Sequence, residues 1–204
     1  MKKTIKIEEL ETVINKYKTE KSKISIEVKD FNENIIVEQN PNIKVNSASC
    51  IKVVIMVAVL KKVQMDELKL DKVIEFKKLD LDDEDGIYNS GKENYTSNED
   101  MYHLYKKLFQ EKILNKKLCG VAKNILRKQR LKNASQRYIY EDIEVYHKTG
   151  GLEYLNLRND CGYFVLDDDA YYFGFFMEEM TTEEDASILI GKLFRIIYNH
   201  LASK

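Results

Sequence analysis

Cysteine, proline and tryptophan are scarce in this chain, and each shortage narrows what it can be. Among 204 residues there are three cysteines, one proline and no tryptophan. Cys50, Cys119 and Cys161 are an odd set with no close spacing, which suggests neither a disulfide framework nor a zinc site. They read as reduced, small hydrophobes. No sign of charge prevails either, since 33 lysines and arginines face 34 aspartates and glutamates. Such a balance offers no field to nucleic acid or to an anionic membrane, so neither is an expected partner. The longest apolar run, Val53 to Leu60, is far too short to span a bilayer. Glu8, Glu9 and Glu11 stand where a signal peptide needs apolar residues, so the expectation is a cytoplasmic protein if the chain starts at its natural beginning. The acidic run Asp80 to Gly86 does not make a calcium loop: with Gly86 at the sixth position, Leu81 falls first and Lys92 twelfth. It reads as a solvated turn, and no metal or cofactor is expected.

What is present is strongly patterned. Ile7, Leu10, Val13, Ile14 and Tyr17 recur at the spacing of an amphipathic helix. Lys23 to Val28 alternates, Asn32-Glu33-Asn34 turns, and Ile35 to Glu38 pairs back as a hairpin. After Pro41 comes a helix from about Ser49 to Met65, then a link over Leu68 to Phe76 and an irregular polar stretch from Gly86 to Tyr95. Ser97 caps a helix to about Lys112, and a second helix runs from Asn115 to about Leu131. Strands follow over Ile143 to Thr149, Asp160 to Leu166 and Ala170 to Glu178, and a helix over Thr181 to Leu201 closes the chain. The expected fold is a single α+β domain over residues 1–204. It has a five-stranded antiparallel sheet, the terminal helices on one face and the Ser49 helix on the other.

Chemistry concentrates at the start of that Ser49 helix. Ser49 and Lys52 are three positions apart, which puts them on one helical face about 5–6 Å apart at Cβ. A serine hydroxyl becomes a nucleophile when a neighbouring base takes its proton, and a lysine serves as that base when burial or another cation lowers its pKa. The apolar residues after Lys52 carry its stem toward the core. A second lysine, in His147-Lys148-Thr149-Gly150-Gly151, makes each ammonium harder to keep charged if the two face each other. Ser47 or Ser49 is also a suitable N-cap. On its own, the serine-lysine pair reads more readily as a helix cap and a first-turn surface lysine. Strand alternation turns His147 to the face opposite Lys148, where its role is structural.

Ser-x-x-Lys opening an apolar helix, followed by Lys-Thr-Gly ending a strand, resembles the serine β-lactamase and penicillin-binding protein family. Asn46 to Lys72, Thr96 to Arg130 and Val145 to Leu166 read like a class A β-lactamase-type domain, and Asn159-Asp160 belongs to the same likeness. The resemblance implies Ser49 as the acylated nucleophile, with Lys52 sharing in removal of its proton. It implies Lys148 and Thr149 on the substrate carboxylate, and the N–H groups of Ser49 and Gly151 as the oxyanion hole. Gly150 lets the strand approach the substrate closely.

Departures from the family pattern set the expected activity. No Ser-x-Asn occurs, and the only Tyr-x-Asn, Tyr154-Leu155-Asn156, lies after Lys-Thr-Gly rather than before it. The loop that supplies a deacylating glutamate in class A enzymes is missing, and Glu111 with Asn115 matches its spacing by coincidence. The expectation is a serine hydrolase acylated on Ser49 by β-lactam, amide or ester substrates, small molecules or short peptides, that deacylates slowly. The alternative is an inactive relative that binds a peptide or peptidoglycan-related ligand in the same cleft. The helical subdomain that carries the third family motif and walls the pocket is therefore expected to be reduced, and a homo-oligomer is a further expectation, since a second copy could supply that wall.

Overall fold

A computed structural model of the chain describes residues 4–73 and 93–203. Helix α1 (Glu8–Ile14) leads into β1 (Lys23–Asp30) and β2 (Ile35–Gln39), a hairpin whose register shifts between Val28 and Lys29. The two-residue strand β3 (Val45–Asn46) runs into a 3-10 turn (Ala48–Cys50) and α2 (Ile51–Gln64). Past the undescribed residues, β4 (Tyr95–Thr96) pairs with β3. Helices α3 (Asn98–Phe109) and α4 (Lys116–Arg127) follow, then β5 (Glu144–Leu152), β6 (Leu157–Leu166), β7 (Asp169–Glu178) and α5 (Glu183–Ala202). The sheet order β2-β1-β7-β6-β5 is antiparallel throughout. This is the anticipated sheet, and the strands extend somewhat beyond their sequence-read limits.

Local chemistry explains the boundaries. Ser97 Oγ accepts from Asp100 N at the start of α3, Asn115 Oδ1 from Leu118 N at α4, and Thr182 Oγ1 from Asp185 N at α5. Each cap satisfies a backbone donor that the helix leaves open. Asp167 and Asp168 both have left-handed backbone, φ 50° and 68°, as a two-residue hairpin with the sheet's right-handed twist requires.

The sheet is covered on both faces. Toward α1 and α5, Phe164, Phe173 and Phe175 pack under Leu193, Phe194 and Ile197. Toward α2, α3 and α4, Cys161, Tyr163, Tyr172 and Phe176 meet Val53, Leu60, Tyr102, Tyr105 and Leu118. Burial of both faces accounts for the nearly continuous aromatic run of β7.

Three sequence expectations need correction. Helix α2 is apolar on every side, and Val54, Ile55 and Val59 are exposed while Val53, Val57 and Leu60 are buried. Its stripe toward the sheet therefore leaves Lys52 exposed, and the lysine stem does not enter the core. Neither Ser47 nor Ser49 caps the helix, because a 3-10 turn precedes it and both flanking residues already have helical backbone. The β3–β4 ladder was too short to be legible as strands. Residues 68–73 form turn and coil; the rest of that link, the Asp80 to Gly86 run and the stretch after it to residue 92 lie outside the described residues.

Candidate active site

Ser49 sits where α2 meets strand β5. Immediately before it, Ala48 has φ 43°, a left-handed conformation uncommon for a residue with a side chain. Such geometry persists only when the surroundings fix it, and here they do. Asn46 Oδ1 accepts from Ala48 N at 2.9 Å, Asn159 Nδ2 donates to Asn46 O at 2.8 Å, and Asn46 N donates to the buried carboxylate of Glu178. Ser47 N and Oγ both donate to Asn94 O, at 2.8 and 3.0 Å. The turn that carries Ser49 is thus bolted to β6, β7 and the segment before β4. None of these bonds involves the Ser49 hydroxyl, which has no hydrogen bond among the described residues.

The Lys148 to Gly151 segment closes on that turn. A Cβ on Gly150 would stand 2.9 Å from Ser49 N and 3.0 Å from Ala48 Cβ, so only glycine lets the strand come this near. Cys50 Sγ donates to Lys148 O at 3.3 Å, which ties the residue after Ser49 to the same strand. Lys148 Nζ donates to Thr149 O at 2.6 Å. Desolvation holds the Lys148 ammonium below the ordinary lysine value of 10.5, with the nearby Lys52 charge acting in the same direction and the Cys50 thiol against it. Burial, expected at Lys52, falls on Lys148 instead.

Alternation along β5 sorts the remaining residues. Lys148 and Gly150 face α2, whereas His147, Thr149 and Gly151 face α5. Thr149 is buried. His147 does lie on the face away from Lys148: its Nδ1 is 2.7 Å from Asp160 Oδ1, and its Nε2 is 2.8 Å from Gln136 Nε2. Ser135 Oγ and N donate to the other Asp160 oxygen at 2.7 and 3.0 Å. That buried set fixes β5 from behind.

Sequence reasoning passed over Arg158. It pairs with Gly151 across the β5–β6 ladder and is 8% exposed. Its Nη1 donates to Glu183 Oε1 at 2.9 Å and its Nη2 to Asn133 Oδ1 at 2.7 Å; Nε has no partner among the described residues. The signal was in plain view, since Arg158 directly precedes the Asn159-Asp160 pair already singled out. Tyr154-Leu155-Asn156 forms a turn beside this arginine, with Asn156 left-handed at φ 45°.

A strained turn that carries a serine, a glycine strand pressed against its backbone and a partly desolvated lysine on that strand thus stand together. The profile of the beta-lactamase enzyme family matches residues 6–90 and 80–201, and the chain belongs to that family. No curated protein sequence matches significantly. Among solved structures, a beta-lactamase from Xanthomonas campestris pv. campestris superposes with a TM-score of 0.82 at 12% identity, over 96% of this chain and 97% of that one. A class A beta-lactamase from Bacteroides cellulosilyticus gives 0.80 at 16% identity over 97% of both chains. PBP-A gives 0.78 at 14% identity over 98% of both. At these identities the likeness is one of fold. No helix among the described residues is long and apolar enough to cross a membrane.

Proposed function

We propose that the chain is a serine acyl hydrolase that is acylated on Ser49 and releases the acyl group slowly. The observation that supports this reading is the approach of Gly150 to the Ser49 backbone, with Lys148 two positions before it on the same face of the strand. In the acylation step Ser49 Oγ gives its proton to a neutral lysine amine and adds to an ester, amide or lactam carbonyl. Lys148 takes this role, because desolvation and the nearby Lys52 charge both favour loss of its proton. The tetrahedral oxyanion is received by the N–H groups of Ser49 and Gly151, each worth about 3–4 kcal/mol in such sites. Collapse returns the proton to the leaving amine or alkoxide and leaves an ester on Ser49. The backbone edge of Thr149, Gly150 and Gly151 is where the donor lies, while the buried Thr149 side chain faces α5.

Slow release follows from how the nearby carboxylates are engaged. Glu178 accepts from Asn46 N and pairs with Lys23, Asp160 holds Ser135 and His147, and Glu183 holds Arg158. Each has a partner, so none of the three is free to activate water against the acyl ester.

Intact-protein mass followed over time with benzylpenicillin and with a small activated ester, beside Ser49→Ala, tests this. A long-lived adduct that the variant lacks is expected. Absence of an adduct with both reagents would overturn the enzyme reading in favour of a binding protein, and rapid steady-state hydrolysis would overturn slow release.

A further inference from the structure

Charge is balanced over the whole chain but not along it. Residues 106–132 hold ten lysines and arginines and a single acid, Glu111, while the rest of the chain holds 23 basic and 33 acidic residues. That stretch is the end of α3, all of α4 and the coil that follows. Leu118, Cys119, Ala122 and Leu126 turn inward from α4. With 3.6 residues per turn, Lys117, Val121, Asn124 and Lys128 then fall along one outward side, and Ile125 stands next to them. Ile125 and Leu131 are half exposed, at 51% and 52%.

These cations do not serve the fold. Lys116, Lys117, Lys128, Arg130 and Lys132 are exposed and have no ion pair among the described residues. Two of them stand in the first turn of α4, where the helix dipole favours acids. At the same place α3 carries Glu99 and Asp100, and α5 carries Glu183, Glu184 and Asp185. Unpaired charges that oppose their own helix and surround bare aliphatic side chains mark a contact surface. Acids more than about 8 Å away are screened at physiological salt, so the balance of the whole chain, from which no anionic partner is expected, does not cancel the patch.

We propose that the outer side of α4 and the coil after it dock the chain on an anionic lipid surface, lying on the headgroup layer without crossing it. Ile125 and Leu131, set among lysines and arginines, suit the boundary between headgroups and acyl chains. A nucleic acid fits less well, because the one aromatic residue of the stretch, Phe109, packs against the core and leaves no platform on which a base could stack.

The test is cosedimentation of the full chain with vesicles of phosphatidylcholine alone and of phosphatidylcholine with an equal part of phosphatidylglycerol, at low and at physiological salt. Binding is expected to the mixed vesicles only, weakening as salt rises. Combining Lys117→Gln, Lys128→Gln and Lys132→Gln should weaken it about 100-fold. Ile125→Ser with Leu131→Ser should weaken it about 10-fold while leaving any binding of duplex DNA unchanged. No binding to the mixed vesicles, equal binding to the neutral ones, or undiminished binding by the lysine variant would overturn the proposal. Tighter binding of duplex DNA than of the mixed vesicles would overturn it in favour of a nucleic acid. The comparison of the two vesicles needs no variant, so the question is decided even if a variant folds poorly.

Discussion

Strand β7 shows two ways of filling a protein interior. Toward α5 it presents Phe173, Phe175 and Met177, with Phe194 seated 5.1 Å from the Phe164 ring and 5.0 Å from that of Phe173. Toward α3, the Tyr172 hydroxyl donates to Asn98 Oδ1 at 2.9 Å while Asn98 Nδ2 donates to Ser25 Oγ at 2.7 Å and Gly174 O at 3.3 Å. Beside them, Lys29 Nζ lies 2.6 Å from Glu27 and 2.6 Å from Glu99, over the Tyr102 ring. The first face gains stability from apolar area. The second buries ionisable groups whose desolvation opposes folding unless each is partnered. Ser49 and Lys148 stand on this second face, the one already built to hold desolvated polar groups.

The contrast is broken most severely on the apolar side. Phe194→Ala should cost about 3–5 kcal/mol in denaturant unfolding, since it removes a ring wedged among other rings. On the polar side the largest effect should depend on pH. Desolvation pushes the Glu27 carboxyl up to about 7 from 4.5, against the pull of Lys29. A carboxyl raised in the folded state adds stability that is complete below about pH 4.5 and is lost as pH climbs through about 7, a change on the order of 3 kcal/mol. Unfolding free energy should therefore fall between pH 5 and pH 8, and Glu27→Gln should flatten that slope. A slope unchanged by the substitution would refute the assignment to Glu27.

Gly150→Ala sharpens the comparison at the site itself. Its methyl would push on Ser49 N and Ala48 Cβ, so Ser49 acylation should drop about 100-fold, or roughly 2.7 kcal/mol of barrier. The smallest effects belong to the caps. Ser97→Ala on α3 and Thr182→Ala on α5 should each cost about 1 kcal/mol in thermal or denaturant unfolding, whichever face the helix covers.

These two faces were unequally legible in the sequence. Ile24, Ile26 and Val28 alternate openly and gave β1 its place. Ser25, Glu27 and Lys29 make the other face of the same strand, polar in sequence, and all three are buried because α3 lies over them. Alternation tells which residues share a face, not what covers it. Helix α2 failed in the complementary way, since an all-apolar run does not mark which stripe turns inward, and Lys52 was drawn into the core on that account. The Ser49-Lys52 and Lys148-Thr149-Gly150 motifs are local in sequence and could be read directly. The Asn46, Asn159 and Glu178 clamp and the Arg158–Glu183 pair join residues far apart in the chain, and only the packing of β3 and α5 against the sheet brings them together.

The central claim, that a desolvated Lys148 drives Ser49, is tested most directly by the pH dependence of Ser49 acylation. A neutral activated ester would be followed by intact mass in the wild type and in Lys148→Met. The rate should rise with pH as the amine loses its proton and level off below pH 10.5, the ordinary lysine value, and the variant should be at least 100-fold slower across the range. Equal rates in the two proteins, or a rate that climbs without a break past pH 10.5, would contradict it.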